Sequence, residues 1–400
     1  MRHLEIVLKT VETCNLNCSY CYFFSDTDGN YQIKKGREKI ISLTTIQNIC
    51  HFIKAGQKAL QFDQVNIVFH GGEPLLQKKH EFDQMCAMFF QELSPTVKLE
   101  FGIQTNGICL SEKWLDLLAK YHISPGISID GTEKYHNVYR KNFAGKGSYK
   151  QVARGIRLTQ EAIKQNKISH LATISVIDAR YCSEEIYAHF TKDLRVKTMD
   201  FLLPDFNHDT FPIHQQETGN TIEKYGDFIC QLFDDWVKDD DPQIEIRLFK
   251  QIISLLAGGK YAYLADTGPE IPDDTLPIIT IYHDGRVSPD DTFITTRPGI
   301  TKTPTSVTNI SLADFIQLPV FHEIKTIRKA IPKACHDCPW LSICNGGASV
   351  NRYSKKEGFN NPSIYCQALK KIYAHIASYM INNGLPPEKL HARLFDSEKV

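Results

Sequence analysis

Six short runs of strand-forming residues, each followed by a longer helical stripe, fill the first 240 residues and restrict the fold more than anything else in the chain. The strand runs are 4–9, 65–69, 98–104, 126–129, 170–176 and 198–203, and the helical stretches are 43–60, 78–93, 111–121, 149–164, 184–194 and 221–238. In the first of these stretches Leu43, Ile46, Ile49, Cys50 and Ile53 recur at helical spacing behind Ser42 and Thr44. Such alternation calls for an α/β fold: a parallel sheet covered by helices, open or closed into a partial (β/α)6 TIM barrel. The pattern breaks at Asp239-Asp240-Asp241-Pro242. A helix over 246–257 follows, then Pro- and Gly-rich loops beyond Asp266, a hairpin-like 278–288 and a last helix over 367–381. The expected division is a barrel over 1–240, a linker helix over 241–265 and a C-terminal domain over 266–400.

Charge and composition remove several function classes. Lys plus Arg number 46, as do Asp plus Glu, and a protein built to grip nucleic-acid backbone is normally basic. No apolar run is long enough to span a bilayer. The N-terminus Met1-Arg2-His3-Leu4-Glu5 lacks a signal peptide's apolar core, so a cytoplasmic location is expected. In that compartment disulfides are disfavoured, and 12 cysteines then point to metal or catalysis. Seven of the 12 fall in two groups, near the start and near the end. Of the others, Cys50 and Cys86 sit among apolar residues at helical spacing and read as buried, inert thiols.

Cys14-Asn-Leu-Asn-Cys18-Ser-Tyr-Cys21 follows the first strand directly, at the carboxyl end where barrel enzymes keep their chemistry. Three thiolates at these gaps suit one corner-sharing grip on a [4Fe–4S] cube and leave the fourth iron without a protein ligand. A structural zinc site wants four ligands, and no nearby Cys or His supplies the fourth.

This motif, with an aromatic residue before the last Cys, resembles the signature of radical S-adenosylmethionine (SAM) enzymes. His70-Gly71-Gly72-Glu73-Pro74 closes the second strand like the family's GGEP segment, which presents backbone and a carboxylate to the SAM amino group. Thr105-Asn106-Gly107 ends the third strand; Ser128-Ile-Asp130-Gly131 ends the fourth, followed by His136 and Arg140. The resemblance, over roughly residues 4–205, implies Cys14, Cys18 and Cys21 as cluster ligands. It implies Gly71, Gly72, Glu73, Pro74, Asn106, Ser128, Asp130 and Arg140 around SAM, with Ser128 and Arg140 reaching its ribose and carboxylate. A glycine pair there would let backbone come close to a ligand. The implied chemistry is one-electron cleavage of SAM to a deoxyadenosyl radical, fed by an external reductant of the flavodoxin or ferredoxin type.

Cys335-His-Asp-Cys338, Cys344 and Cys366 form the second group, and on spacing alone both zinc and a [4Fe–4S] cluster fit. The region resembles a SPASM domain, the C-terminal extension of radical SAM enzymes that modify peptides, whose full version binds two auxiliary clusters. Here Ala348 stands where its C-x2-C-x5-C-x3-C pattern would end, Gly285-Arg-Val-Ser-Pro-Asp290 lacks the expected Cys, and no Cys occurs between 231 and 334. The three lost positions belong to one cluster in two-cluster relatives. The resemblance therefore implies one auxiliary [4Fe–4S] cluster, on Cys335, Cys338, Cys344 and Cys366.

Within SPASM enzymes the chain resembles the maturases of ribosomal precursor peptides that join an aromatic ring carbon to a side-chain β-carbon, forming three-residue cyclophanes. That likeness rests on Asp200-Phe-Leu-Leu-Pro204-Asp-Phe-Asn-His208-Asp, on Gly268-Pro-Glu-Ile-Pro272, and on Ile281-Tyr-His-Asp284-Gly285 leading to Pro289-Asp290-Asp291. Restoring aromaticity after ring attack releases one electron and one proton; an auxiliary cluster suits the first, and Asp290 or Asp291 the second. Formylglycine formation as in anaerobic sulfatase maturases, thioether formation and epimerisation are alternatives, and a zinc-binding scaffold is the non-enzymatic one. With the first ligand at position 14, no separate leader-binding domain is expected. The basic, aromatic stretch 135–150 is a candidate leader surface, a solvated loop being the plainer reading.

Overall fold

The computed structural model describes residues 2–24, 39–259 and 275–395, so the 268–272 motif and the end of the proposed linker lie outside the described residues. Its strands, in chain order, are β1 (His3–Val11), β2 (Gln64–Gly71), β3 (Lys98–Thr105), β4 (Pro125–Ser128), β5 (Ala172–Val176), β6 (Thr198–Leu202), β7 (Glu245–Ile246), β8 (Ile279–Ile281) and β9 (Val287–Pro289). Contacts divide the chain into two compact units. The first takes 1–129, 133–173 and 273–323; the second takes 130–132, 174–272 and 324–400.

In the first unit the strand order is β4-β3-β2-β1-β8-β9. All neighbours run parallel except the β8–β9 hairpin. Leu4, Ile6 and Leu8 of β1 are fully buried, while Lys9 pairs in register with His70 of β2. Helices start where the sequence offers caps: Ser42 accepts from Thr45 N–H before Leu43–Leu60, and Ser111 from Trp114 N–H before Glu112–Lys120. Phe69 of β2, Phe82 of the helix Lys79–Leu93 and Trp114 of Glu112–Lys120 pack edge-on in a row, at 5.0 and 5.3 Å between centroids. Cys50 and Cys86 are buried in the core, as their spacing suggests.

The hairpin expected in the C-terminal domain belongs instead to this first sheet. Ile279 and Ile281 are fully buried and pair with Ile6 and Leu8, so β8 covers the edge of β1. Sequence distance hid a parallel pairing across some 270 residues. The stretch 135–150 is not a free loop either. A helix, Glu133–Tyr139, opens it, and Tyr135, His136 and Arg140 are buried.

In the second unit β6 lies between β5 and the short β7, parallel to β7. Ile222–Asp239 packs on the last long helix, Cys366–Asn382, through residues such as Gly226 against Ala368. The helix expected over 184–194 divides into Ser183–Ala188 and a wider turn, His189–Asp193. Among the described residues no helix is long and apolar enough to cross a membrane.

Candidate functional site

β1 ends at Val11, and the loop behind it carries the three thiols. The end of β2 holds that loop by backbone: Gly72 N–H donates to Val11 O at 2.7 Å and Glu73 N–H to Thr13 O at 2.9 Å. A Cβ on Gly71 would lie 2.2 Å from Val11 O, and one on Gly72 2.0 Å from Thr13 O. The glycine pair is therefore required by the chain's own cysteine loop, not only by a ligand.

Glu73 is wholly buried. Its Oε1 accepts from Thr105 Oγ1 at 2.6 Å and Leu75 N at 3.0 Å, and its Oε2 from Asn106 N at 2.7 Å. Of a carboxylate's roughly four acceptor positions, two join the ends of β2 and β3 and a third caps the turn after β2. Burial raises its pKa, and those hydrogen bonds oppose the rise. Pro74 opens the short turn that Glu73 caps. Asn106 then reaches the cysteine loop, its Nδ2 donating to Asn15 Oδ1 at 2.7 Å and lying 3.7 Å from Cys14 Sγ. Arg140 donates to Tyr20 OH at 2.7 Å, on the loop between Cys18 and Cys21. Ser128 Oγ accepts from Gln104 Nε2 at 2.9 Å. Asp130, grouped with the second unit, is buried and accepts from Val176 N–H at 3.2 Å.

Burial, with Glu73 nearby, pushes the Cys14 thiol up to about 12, so a cation is needed to hold it as thiolate. The sulfurs of Cys14, Cys18 and Cys21 do not all lie within 4.8 Å of one another. Ligands on one zinc ion would sit about 3.8 Å apart given ~2.3 Å bonds.

The two aspartates proposed as proton acceptors have different fates. Asp290 caps the turn Asp291–Thr295, accepting from Thr292 N at 3.0 Å and Thr292 Oγ1 at 2.9 Å. That occupation makes it the poorer candidate. Asp291 is buried, with Oδ2 2.5 Å from Lys9 Nζ and accepting from Tyr22 OH at 3.0 Å. Its Oδ1 accepts nothing from the described residues. Burial alone would raise the Asp291 pKa, but Lys9 above all holds it below the usual carboxylate range. Lys9 and Tyr22 were not singled out from sequence, and His70 entered only as the residue ahead of the glycine pair. The available signal was a lysine closing the otherwise apolar run Ile6-Val7-Leu8.

In the second unit Cys335, Cys338, Cys344 and Cys366 line one pocket, with Trp340, Pro362, Lys370 and Tyr373 around them. The backbone after Cys344 takes positive φ at Asn345, Gly346 and Gly347, turning the chain back on itself before Ala348. Burial pushes Cys344 up to about 12 and raises Cys335 and Cys366, with the neighbouring thiols adding to the rise. Four thiols lining one pocket suit either a cluster or one zinc ion by their chemistry. Among the described residues the set tight enough for a single ion is Glu12, His283 and Asp284. There Arg286 already supplies the positive charge, with Nε 2.7 Å from Asp284 and Nη2 3.8 Å from Glu12.

Residues 8–177 match the family model of the radical SAM superfamily. The chain is 22% identical over 391 residues to a cysteine-type anaerobic sulfatase-maturating enzyme of Clostridium perfringens, covering 96% of this chain and 98% of that one. A solved structure described as native anSMEcpe with bound AdoMet and Cp18Cys peptide superposes with a TM-score of 0.76 at 20% identity, over 95% and 98% of the two chains. The fold thus extends along nearly the whole chain. Streptococcus suis SuiB bound to precursor peptide SuiA follows, at a TM-score of 0.59 and 16% identity, over 92% of this chain and 76% of that one.

Proposed function

We propose that this chain, an enzyme built on the radical SAM domain of residues 8–177, oxidises a side chain in a peptide and most directly joins an aromatic ring carbon to a β-carbon. The observation that carries the reading is the meeting of Asn106, Glu73 and the Gly71-Gly72 backbone on the loop of Cys14, Cys18 and Cys21. These three thiols would hold the [4Fe–4S] cluster, which together with SAM supplies a carbon radical able to take hydrogen from an unactivated carbon. Cys335, Cys338, Cys344 and Cys366 would hold a second cluster, an acceptor for one electron.

The chain's own residues position and exclude. Asn106 and Arg140 fix the cysteine loop from two sides, through Asn15 and Tyr20. Ser128, kept in place by Gln104, stands at the end of β4 as a ribose partner. After ring attack the substrate must shed one electron and one proton, and Asp291 takes that proton on Oδ1, becoming a neutral acid. The peptide approaches the carboxyl ends of β1 to β4, where the cysteine loop, Asn106 and Ser128 lie.

Formylglycine formation is the second reading, favoured by the C. perfringens relative matched along 98% of its length. Against it stand Asp290 and Ala348 at positions where the resemblance expects cysteines. Co-expression with the short peptide from a neighbouring reading frame, followed by mass spectrometry and a hydrazide reagent, separates the two. A loss of two hydrogens without hydrazide capture supports the crosslink; a captured aldehyde replaces it with formylglycine.

A further inference from the structure

Lys9 is fully buried at the end of a sheet strand, a place where an ammonium survives only with every donor satisfied. All three are. Nζ lies 2.5 Å from Asp291 Oδ2, donates to Tyr22 OH at 3.1 Å and meets His70 Nδ1 at 3.1 Å. The Tyr22 hydroxyl passes its own proton on to Asp291 Oδ2 at 3.0 Å. Gly71 N–H also donates to His70 Nδ1, at 2.8 Å, so that nitrogen is the unprotonated acceptor. Burial, assisted by Lys9, lowers the His70 pKa to about 3 and keeps the ring neutral. The Phe23 ring closes the remaining side at 4.8 Å from Nζ.

We infer that Lys9 is a positioning residue for the reaction: it clamps Asp291 through Oδ2 and leaves Oδ1 as the oxygen that meets the substrate. The inference rests on the reading that Asp291 takes the proton. Register fixes Lys9 opposite His70, and Tyr22 directly follows Cys21. The clamp therefore ties the proton acceptor to both the sheet and the cysteine loop. The groups facing the Asp291 carboxylate are Lys9 from β1, His70 from β2 and Tyr22 from the loop, with Asp290 beside it on its own turn. Only Lys9 is a cation among them, so its removal leaves burial unopposed by that charge and should raise the pH at which the carboxylate protonates.

The test uses the full chain, reconstituted anaerobically, and needs no peptide for its first part. Difference infrared spectra between pH 8 and pH 5 are taken, with the Asp291 band assigned by Asp291→Asn. The wild type is expected to show no protonated Asp291 band, Lys9→Met to show one, and Lys9→Arg to restore the wild-type spectrum. An ionised Asp291 at pH 5 in Lys9→Met overturns the clamp. If Lys9→Met does not load iron, Tyr22→Phe takes its place, with a weaker band expected in the same direction and an unchanged spectrum counting against the clamp. With the peptide that the co-expression screen yields, Lys9→Met and Asp291→Asn should each lower modification about 100-fold and the double variant no further. Release of deoxyadenosine should persist in all three. Full modification by Asp291→Asn sinks the proton-acceptor reading itself, while the infrared result stands or falls separately.

Discussion

Asn106 Nδ2 and Asn15 Oδ1 are 2.7 Å apart, so the turn ending β3 grips the loop that carries Cys14 from 91 residues away. The same asparagine gives its backbone N–H to Glu73. One residue thus joins three strand ends around the thiols.

Replacing Asn106 by Ala should loosen that loop without touching any thiol. The lost hydrogen bond is worth about 1–3 kcal/mol once a buried partner is left unpaired. Iron per chain after reconstitution should fall, and deoxyadenosine formation should drop at least tenfold. Asn106→Asp, which can still accept but not donate to Asn15 Oδ1, should not rescue it. Normal turnover in Asn106→Ala would mean that the loop is held by its backbone contacts alone.

Gly72 and Gly102 make a matched pair for testing how close the backbone approach is. A methyl group at Gly72 would meet Thr13 O at 2.0 Å, whereas at Gly102 the nearest atom is Val68 Cγ2 at 3.6 Å. Gly72→Ala should cost at least ~2 kcal/mol and appear as a lower unfolding temperature together with lost iron. Gly102→Ala should leave both within error. Equal behaviour of the two would contradict the packing of the cysteine loop on β2.

Much of this was legible in the sequence because the relevant signals are local. Strand–helix alternation, the caps at Ser42 and Ser111, and the cysteine spacings all act within a few residues. What escaped was long-range. Nothing near Ile279–Ile281 announces a partner in β1, and nothing near Asp291 announces Lys9. Asp290 and Asp291 read alike in sequence, yet Asp290 caps the turn after β9 and Asp291, the first residue of that turn, joins a buried ion pair with Lys9, a partner far away in the sequence. The Gly71-Gly72 pair was legible as a close approach, but its partner, the chain's own loop, was not.

The second cysteine group should behave as a separate metal centre. Cys344→Ser removes one thiol from the four-thiol pocket. Iron and sulfide should fall from about eight to about four of each per chain, with no zinc taking their place. Cys338→Ala should act alike, keeping some SAM cleavage while stopping peptide modification. Cys18→Ala should abolish SAM cleavage. Eight irons retained in Cys344→Ser would remove the pocket from the cluster inventory.

His136 sets a pH limit on the fold. Its ring is fully buried, and its Nε2 lies 2.9 Å from Ser148 Oγ. The Ser148 hydroxyl already gives its proton to Arg140 O at 2.8 Å, so the imidazole must supply the proton in the shared contact and Nε2 carries it. Burial first, then the Arg140 charge, takes the pKa down to about 2. An unfolded histidine binds its proton near pH ~6.5, so below that pH the unfolded chain holds the extra proton. Stability from this residue is full above pH ~6.5 and is lost as pH falls, by up to ~1.4 kcal/mol per pH unit. His70, lowered to about 3, adds a loss of the same sign. Unfolding temperatures of the reconstituted chain should therefore drop between pH 6.5 and pH 5, and the slope should be shallower in His136→Gln, whose amide can still donate to Ser148 but does not titrate. Parallel slopes for the two proteins would show that His136 is not held neutral in the folded chain.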